Sequence, residues 1–572
     1  MRYVTVLLGI FLATSLALPL LAQFPHSSTD RTEARSMVIS RGGIAASDQV
    51  IASQAAAEIL ARGGSAADAA IAENAAMGVL EPMMNGMGGD LFAIEYNAKT
   101  GKLTGLNSSG WAPEKLTLEV MKKKGFKQVP MRGIYSVTVP GAVAGWAALH
   151  ERFGRLPWKD LFQPAIYFAR HGFPVTQFVA AYWADQAKAL KDGTNTGVYL
   201  PGGKVPKVGQ IFKNPAYARA LELIADQGPE AFYRGPIAKA ILRTSNRLGG
   251  VMSAADLADF KPEWVTPIST TYRGWTVYEL PPNGQGMAAL EMLNIMERFP
   301  LAKDGFLSAD SFHVKMAAQQ LAYADLLRYI GDPRFVKVPV KGIISKAYAA
   351  KRASLISPDK ASCHVMPGDP VPFAGDTSYM NVVDSDGNIV SLIQSLYNEF
   401  GSAVVVPEYG FALQDRGALF NLDPASPDVI APHKRPFHTI IPGYMQKGPL
   451  HVGFGIMGGL NQPQAHAQFV SNVVDFGMDL QGALEAPRFR NTAVDGCDFF
   501  IEDRVPEAVR EKLTKMGYVL HVRGAFASSI MGGGHAVMYD SATGMKYAAS
   551  SPRKDGAAIP EPEPIFGGSR KK

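Results

Sequence analysis

The feature that most constrains the fold is a threonine at the head of an apolar segment, two thirds of the way along the chain. Residues 375–379 read Gly-Asp-Thr-Ser-Tyr and run directly into a strand-like segment at residues 380–384. Asp-Gly-Asn at residues 386–388 is typical of a tight turn between two strands. The pattern therefore predicts a buried β-hairpin that begins at Thr377.

Thr377 also has a chemical interpretation. If the peptide bond between Asp376 and Thr377 is cut, Thr377 becomes a chain terminus that carries a hydroxyl and an α-amine on one residue. Such a residue is a nucleophile with its own base, and it needs no His or Asp partner. The alternative is an ordinary strand start, in which Asp376 and Thr377 satisfy turn hydrogen bonds. The surrounding sequence decides between the two.

Ordered motifs along nearly the whole chain, from about Gly42 to Ala558, favour the nucleophile. They are 63–70 (GGSAADAA), 85–89 (NGMGG), 139–145 (VPGAVAG), 156–165 (LPWKDLFQPA), 322–325 (AYAD), 400–402 (FGS), 457–459 (MGG) and 552–558 (PRKDGAA). With these motifs the chain resembles the γ-glutamyltransferase family of N-terminal-nucleophile hydrolases. The resemblance implies an α+β fold, a four-layer αββα sandwich with strands in the core and helices on both outer sides.

The periodicity of apolar residues fits such a sandwich. Helical spacing dominates before Thr377, and short apolar runs separated by Gly and Asp dominate after it. Helices are predicted at residues 53–62, from Asp68 onward, within 142–245, at 287–299 and at 311–329. Strands are predicted at residues 275–280, 380–383, 389–396, 439–441, 451–455 and 536–539.

The resemblance further implies a self-processing enzyme. Thr377 would attack the carbonyl of Asp376, and water would open the resulting ester, which leaves a large piece at residues 23–376 and a small piece at 377–572. Thr377 would then attack an amide carbonyl of the substrate, with its α-amine as the base. The two pieces would stay together as subunits of one enzyme.

Supporting residues are also implied by the resemblance. Gly458 and Gly459 fall where the family places the backbone N–H groups of the oxyanion hole. Glycines allow the close backbone approach and the positive φ angles that this task needs. Ser395 falls where the family has a hydroxyl that hydrogen-bonds the nucleophile. The alternatives are an ordinary glycine-rich turn and an ordinary strand serine.

The expected substrate pocket departs from the best-known members of the family. Ser109 stands where they use an arginine to hold the substrate's α-carboxylate, and Leu419 stands where they have a carboxylate that faces the α-amine. An ammonium buried beside leucine without a partner would be costly. The other residues expected in the pocket are Tyr397, Arg416, His438 and Thr439. Of these, Arg416 could contact a carboxylate from a new direction.

Three functions follow from these expectations. The first is a γ-glutamyltransferase or glutathione hydrolase, which cleaves γ-glutamyl amides through an acyl-enzyme on Thr377 and passes the acyl group to water or an amino acid. The second is a related acylase or amidohydrolase for acyl groups without the α-amine, such as glutaryl. The third is a secreted binding protein that has lost catalysis. No cofactor is implied, because the nucleophile, the base and the oxyanion donors all come from the chain.

Composition and charge fit a large secreted globular enzyme. The 572 residues are 47% hydrophobic with a mild net charge of +6, and no run of Lys and Arg interleaved with aromatics predicts binding of nucleic acid. Arg2, the apolar residues 4–21 and the small Ala22 predict a signal peptide at residues 1–22, with a membrane anchor as the alternative. We therefore expect a periplasmic or secreted protein that has no membrane attachment once the signal is removed.

The two cysteines, Cys363 and Cys497, belong to no recognised motif. Neither Cys-x-x-Cys nor His-Glu-x-x-His spacing occurs, so no metal site is expected. An oxidising compartment would allow a disulfide, but the sequence cannot show that the two residues meet. We expect two independent thiols. A bridge between them would join the two pieces if the chain is cut before Thr377.

Overall fold

The predicted hairpin is present, and both of its faces are covered. Strand Asp376–Val383 pairs antiparallel with strand Ile389–Tyr397. In the first strand Tyr379 packs into an apolar layer between two sheets, whereas its neighbour Met380 packs under helices. Because apolar layers lie on both sides, the hairpin has no solvent-exposed face, and its polar residues such as Asn381 and Gln394 are fully buried.

The computed structural model describes residues 33–366, 376–491, 493 and 496–566. The predicted signal peptide lies outside these residues, as does the segment 367–375 that precedes the predicted cleavage site. Within the described ranges, every helix is too short or too polar to span a bilayer.

The hairpin belongs to the first of two seven-stranded antiparallel sheets. In spatial order the first sheet consists of β21 (Ala557–Pro560), β2 (Ile44–Ser47), β10 (Asp376–Val383), β11 (Ile389–Tyr397), β3 (Asp90–Asn97), β4 (Lys102–Ser108) and β7 (Glu263–Val265). β10 lies between β2 and β11, and Asn381 is in register with Ala46 on one side and Ser391 on the other. The strand that carries Thr377 is thus fixed on both edges.

The second sheet lies face to face with the first. In spatial order it consists of β1 (Val38–Ser40), β20 (Lys546–Ser550), β19 (Gly534–Asp540), β15 (Leu450–Ile456), β14 (Gly443–Lys447), β9 (Trp275–Glu279) and β8 (Ile268–Tyr272). Phe92, Ile393 and Tyr379 of the first sheet meet Tyr444 and Val537 of the second in the layer between them.

Helices cover the outer face of each sheet. On the first sheet lie α1 (Val50–Ala61), α2 (Ala66–Leu80) and α4 (Ala142–Phe153), and on the second lie α12 (Gly286–Met296), α17 (Asn461–Val474) and α18 (Leu480–Glu485). α14 (Ala309–Tyr329) packs against α12. All fifteen residues of α2 are buried, and Ser65 and Asp68 form a capping box at its start. The predicted αββα sandwich is therefore confirmed.

The remaining elements surround this sandwich. The other helices are α3 (Leu118–Lys123), α5 (Gln163–His171), α6 (Gln177–Asp185), α7 (Ala187–Asp192), α8 (Pro215–Gln227), α9 (Glu230–Tyr233), α10 (Pro236–Arg247), α11 (Ala254–Ala258), α13 (Leu301–Asp304), α15 (Val340–Ile343), α16 (Lys346–Ala353), α19 (Glu507–Lys515) and α20 (Ser528–Met531). The small sheets pair β5 (Phe173–Pro174) with β6 (Ile211–Phe212), β12 (Val405–Val406) with β13 (Phe411–Ala412), and β16 (Phe489–Asn491) with β17 (Asp498–Glu502) and β18 (Val519–Arg523).

The predicted strand at residues 439–441 is wrong. These residues form no strand and precede β14, and their backbone groups bind side chains instead of a neighbouring strand. The N–H of Ile440 donates to His438, the N–H of Ile441 donates to Gln462, and the carbonyl of Thr439 accepts from Gln285. An apolar pattern does not reveal such bonds.

The expectation of two independent thiols is also wrong. Cys363 and Cys497 form a disulfide, with their Cα atoms 4.8 Å apart although 134 residues separate them in the chain. Both sulfurs lie in an apolar cluster that contains Phe312, Phe499 and Tyr518. Gln320 of α14 donates to the carbonyls of Ser362 at 3.1 Å and Gly496 at 2.7 Å, the residues directly before the two cysteines. Spacing alone could not indicate this contact.

Candidate active site

Thr377 is fully buried near the start of β10. The pairing of β10 with β11 is irregular here, since the register shifts between Asp376 and Ser378. Bulges of this kind commonly turn a side chain away from the regular ladder beside an active site. The side-chain amide Nε2 of Gln462, in α17, lies 3.4 Å from Thr377 Oγ1. The hydroxyl of Thr377 thus faces the start of α17.

Two glycines form the turn between β15 and α17, next to Gln462. Gly458 has φ of 123° and Gly459 has φ of 59°, conformations that favour glycine. Their carbonyls accept hydrogen bonds from the amides of Asn461 and Gln462, whereas no hydrogen bond among the described residues uses either glycine N–H. These two donors at a helix start can stabilise negative charge that forms beside Thr377. We call residues 457–462 the catalytic turn.

Side-chain amides hold the catalytic turn in place. Gln285 donates to the carbonyl of Gly459 at 2.8 Å and also to the carbonyl of Thr439. Asn461 Nδ2 donates to the carbonyls of Met457 at 3.2 Å and Met531 at 3.0 Å. Because these bonds exist before a substrate binds, the turn is preorganised.

Ser395 and Tyr397 lie at the end of β11. Ser395 Oγ accepts a hydrogen bond from the N–H of Tyr397 at 2.7 Å, and Ser395 is in register with Asp90 of β3. Tyr397 has φ of 81° and lies opposite Asp376 across the hairpin. Both residues therefore lie close to the start of β10, and the support of Thr377 by Ser395 stays a prediction.

Arg416 is fully buried at the start of the turn Arg416–Leu419. Its Nη1 donates to Thr439 Oγ1 at 2.6 Å, and its guanidinium lies 4.8 Å from the ring centroid of Tyr397. Nε and Nη2 have no hydrogen-bond partner in the part of the chain that the structure describes. Burial lowers the pKa of Arg416 to about 10, so the side chain is a cation at neutral pH. The predicted residues Tyr397, Arg416 and Thr439 are thus in contact.

Ser109 does not replace a guanidinium clamp. Its hydroxyl donates to Asn107 Oδ1 at 2.7 Å and accepts from Asn283 Nδ2 at 3.2 Å. Its carbonyl accepts from Arg435 Nε at 3.1 Å, and Arg435 also forms an ion pair with Glu263. The Ser109 hydroxyl is therefore already used by amides of the chain itself.

His438 forms a buried pair with Asp90, whose Oδ2 lies 3.1 Å from His438 Nε2. The N–H of Ile440 donates to Nδ1 of His438, so the imidazole proton lies on Nε2 and is donated to Asp90. Burial, with Arg416 and Arg435 nearby, lowers the pKa of His438 well below its usual value. His438 is therefore a neutral imidazole that positions the Asp90 carboxyl.

The carboxyl group of Asp90 has a pKa close to neutral pH. It accepts hydrogen bonds from the amides of Gly110 at 2.9 Å and Gly141 at 3.1 Å. Burial raises its pKa to about 7, although the Arg416 cation opposes that rise. Asp90 therefore gains negative charge as the pH passes through neutrality.

Leu419 ends the same turn as Arg416 and packs into the apolar layer under the second sheet. Asp415 precedes the turn, but its carboxylate accepts from both the side-chain amide of Asn398 at 2.6 Å and the Asn398 N–H at 3.0 Å. Burial raises the pKa of Asp415 to about 6. We call Ser109, Asp90, Arg416, Leu419, His438 and Thr439 the acyl pocket.

Three residues of this region were not predicted from the sequence. Asp90 directly follows the glycine-rich residues 85–89, and Gln462 follows Gly459 by three positions, so both were within reach of the motifs. Gln285 has no such signal, because it becomes important only when α12 packs beside the catalytic turn.

Comparison with known proteins places this geometry in a family. Residues 52–561 match the family model described as gamma-glutamyltranspeptidase. The chain belongs to the gamma-glutamyltranspeptidase family. It is similar to the glutathione hydrolase-like YwrD proenzyme of Bacillus subtilis (strain 168), with 34% identity over 91% of this chain and 99% of that protein. It is equally similar to the acylase ACY 1 proenzyme of Pseudomonas sp. (strain SE83), with 34% identity over 95% of this chain and 96% of that protein.

A solved structure extends the likeness to three dimensions. Cephalosporin acylase from Bacillus halodurans shares 39% identity with a TM-score of 0.87, over 95% of this chain and 100% of that chain. Like its gamma-glutamyltranspeptidase relatives, the protein is therefore an enzyme of the N-terminal-nucleophile type, a hydrolase or transferase.

Proposed function

We propose that this gamma-glutamyltranspeptidase-family enzyme matures by cutting itself before Thr377. Thr377 Oγ attacks the carbonyl carbon of Asp376, the C–N bond between the two residues breaks, and an ester joins them. Breaking of the C–N bond frees the α-amine of Thr377, which takes up the hydroxyl proton. Water then hydrolyses the ester, which restores the Thr377 hydroxyl and leaves Asp376 with a free carboxylate. The products are a large subunit of residues 23–376 and a small subunit of residues 377–572. The proenzyme names of the relatives support this step.

The mature enzyme then cleaves an amide bond of its substrate. Thr377 Oγ attacks the amide carbonyl while the α-amine takes the hydroxyl proton. The N–H groups of Gly458 and Gly459 stabilise the oxyanion, and the proton passes to the leaving amine as the C–N bond breaks. Water or an amino acid takes the acyl group from the ester, and Ser395 supports the nucleophile.

We propose γ-glutamyl compounds, with glutathione as the default, as the acyl donors. Hydrolysis of glutathione would release glutamate and cysteinylglycine. The observation that carries the proposal is the position of the Thr377 hydroxyl beside the catalytic turn, where two backbone donors are preorganised. The glutathione hydrolase relatives support the choice of substrate.

A second candidate is acylase activity on acyl groups without an α-amine, such as glutaryl. Leu419 favours it, because an apolar side chain lies where the pocket would need a carboxylate to bind the ammonium. The acylase relatives support it as well.

The predicted signal peptide at residues 1–22 supports a periplasmic or secreted enzyme. In that location the disulfide between Cys363 and Cys497 would form and would link the two subunits. The subunits would then remain associated through both their shared core and a covalent bond.

The test is the rate at which the processed protein releases 4-nitroaniline from L-γ-glutamyl-4-nitroanilide and from glutaryl-4-nitroanilide. These substrates differ only in the α-amino group. Faster release from the γ-glutamyl substrate supports the first candidate, and faster release from the glutaryl substrate supports the second. If fully processed protein releases no 4-nitroaniline from either substrate, both candidates are overturned. Thr377→Ala serves as the uncut, inactive control.

A further inference from the structure

The buried cation Arg416 has more hydrogen-bonding capacity than the protein uses. Nη1 is bound to Thr439 Oγ1, whereas Nε and Nη2 have no partner among the described residues. An arginine that is fully buried in this way is costly unless an anion completes its bonding. The stacked ring of Tyr397 offers only partial compensation, through a cation–π contact.

The nearby carboxylates do not bind the guanidinium directly. Asp90 uses its oxygens to accept from Gly110, Gly141 and His438. Asp415 uses both of its oxygens for Asn398. Both carboxylates attract Arg416 through space, but neither is among its hydrogen-bond partners. The Nε and Nη2 donors therefore remain available to a ligand.

Three hydrogen bonds connect this cation to the catalytic turn. Arg416 Nη1 donates to the side chain of Thr439, and the carbonyl of Thr439 accepts from Gln285. Gln285 also donates to the carbonyl of Gly459, whose N–H is a proposed oxyanion donor. Arg416 thus lies one short polar relay away from the position where the acyl carbonyl would react.

We propose that Arg416 binds the carboxylate at the far end of the acyl group, with Nε and Nη2 as a two-pronged donor. The substrate class is then amides of acyl groups that carry a second carboxylate. The carboxylate is the α-carboxylate of a γ-glutamyl group or the distal carboxylate of a glutaryl group. This inference rests on the proposed amide-hydrolase function and deepens it. A planar guanidinium suits both oxygens of a carboxylate, which a lysine cannot match.

The first test compares glutaryl-4-nitroanilide with pentanoyl-4-nitroanilide, in which a methyl group replaces the carboxylate. We expect Arg416→Met to lower kcat/KM for the glutaryl substrate about 10²-fold more than for the pentanoyl substrate, mainly through KM. Arg416→Lys should give a smaller difference in kcat/KM between the two substrates, because lysine keeps the positive charge but lacks the planar pair of donors. An equal loss on both substrates would overturn the proposal, because a purely structural role affects them alike.

A third substrate identifies which carboxylate is bound. If Arg416→Met also raises KM for L-γ-glutamyl-4-nitroanilide, the α-carboxylate uses the same site. If the loss is confined to the glutaryl substrate, the site is built for the distal carboxylate. Both results support the proposal, whereas a loss on neither overturns it.

Two further measurements keep the proposal testable if Arg416→Met fails to process itself. Thr439→Val removes the acceptor of Nη1 and should raise KM severalfold for the glutaryl substrate more than for the pentanoyl one. Glutarate should inhibit the wild-type enzyme at least tenfold better than pentanoate, and equal inhibition would count against Arg416. A wild-type enzyme that cleaves no anilide at all would instead show that the proposed function has failed.

Discussion

The catalytic turn and the acyl pocket lie side by side, yet their chemistry comes from different parts of the chain. In the catalytic turn the proposed donors are backbone N–H groups of Gly458 and Gly459. In the acyl pocket the polar groups are side chains, among them the Arg416 guanidinium and the Asp90 carboxyl. Any sequence that keeps the turn keeps its donors, whereas a single substitution changes what a side chain binds. When the sequence changes, the reaction mechanism is therefore retained more easily than the substrate specificity.

Gln285 connects the two regions through bonds that do not depend on the side chains of the acyl pocket. Its side-chain amide donates to the carbonyl of Gly459 on one side and to the carbonyl of Thr439 on the other. Both acceptors are backbone groups, so substitutions in the acyl pocket leave them in place. The contrast predicts that variants of the turn affect all substrates, and variants of the pocket affect some.

The largest effect is expected for Gly458→Ala. At φ of 123° an alanine is strained, and its Cβ would lie 3.0 Å from the Cβ of Asn461. Alanine keeps the N–H, but the strain would turn this donor away from the oxyanion. Because loss of one oxyanion donor costs about 10²–10³ in kcat, we expect a decrease in kcat that approaches this size and is the same for γ-glutamyl and glutaryl anilides. Steady-state kinetics on processed protein provide the measurement.

Gly448→Ala is the matched control for that variant. Gly448 also has positive φ, 55°, but a Cβ there meets open space. We expect a stability loss of roughly 1 kcal/mol and full activity. A loss of activity in Gly458→Ala that is limited to one substrate would contradict the prediction that variants of the turn affect all substrates.

Leu419→Asp changes the acyl pocket and should shift the substrate preference toward γ-glutamyl compounds. A carboxylate at this position would give the α-ammonium of a γ-glutamyl substrate a partner. We expect the ratio of kcat/KM for γ-glutamyl over glutaryl anilide to rise about tenfold, since one charge-assisted hydrogen bond contributes roughly 1.5–3 kcal/mol. Leu419→Asn controls for the polar group without the charge, and an unchanged ratio in folded Leu419→Asp would contradict the assignment of this position.

The pH dependence of KM should differ between substrates because of Asp90. Its pKa of about 7 means that the carboxyl is neutral below that pH and negative above it. Negative charge beside Arg416 repels a substrate carboxylate. KM for the glutaryl anilide should therefore rise roughly three- to tenfold between pH 6 and pH 8, whereas KM for the pentanoyl anilide should not.

Asp90→Asn tests the origin of that pH dependence. The amide stays neutral at every pH, so the rise in KM for the glutaryl substrate should disappear. A rise that persists in Asp90→Asn would assign the titration to another group, such as Asp415, whose pKa is about 6.

The smallest effect on activity is expected for Cys363→Ser. The bridge to Cys497 lies among Phe312, Phe499 and Tyr518 and outside the acyl pocket. After processing, the wild type should run as one band on a non-reducing gel and as two bands after reduction, whereas the variant should give two bands in both. Activity should stay within about twofold, and the stability should fall by about 2–5 kcal/mol. A tenfold loss of activity would link the bridge to the pocket.

Sequence reasoning succeeded where structure depends on local pattern. The hairpin at residues 376–397 and the helices α12 and α14 have apolar periodicity and turn residues that favour one structure. It failed at residues 439–441, because side chains bind their backbone groups, the adjacent His438 and the distant Gln462 and Gln285. The Cys363–Cys497 bridge likewise depends on the packing of elements far apart in the chain.

The candidate site shows the same division. Thr377, Gly458 and Arg416 could be located by motif and alignment with a family pattern, and the structure brings them into one region. Asp90 was missed although it directly follows the glycine-rich motif at residues 85–89, and Gln285 was missed because a glutamine at a helix start carries no chemical signal. Only the fold gives the first a histidine partner and the second a catalytic turn.

The most direct test of the account is the N-terminal sequence and intact mass of the purified protein after prolonged incubation. The account predicts two chains, the smaller of which begins at Thr377, and a single uncut chain for Thr377→Ala. A wild-type protein that stays intact, or that is cut at another bond while hydrolysing its substrates, would contradict the role of Thr377 as the nucleophile.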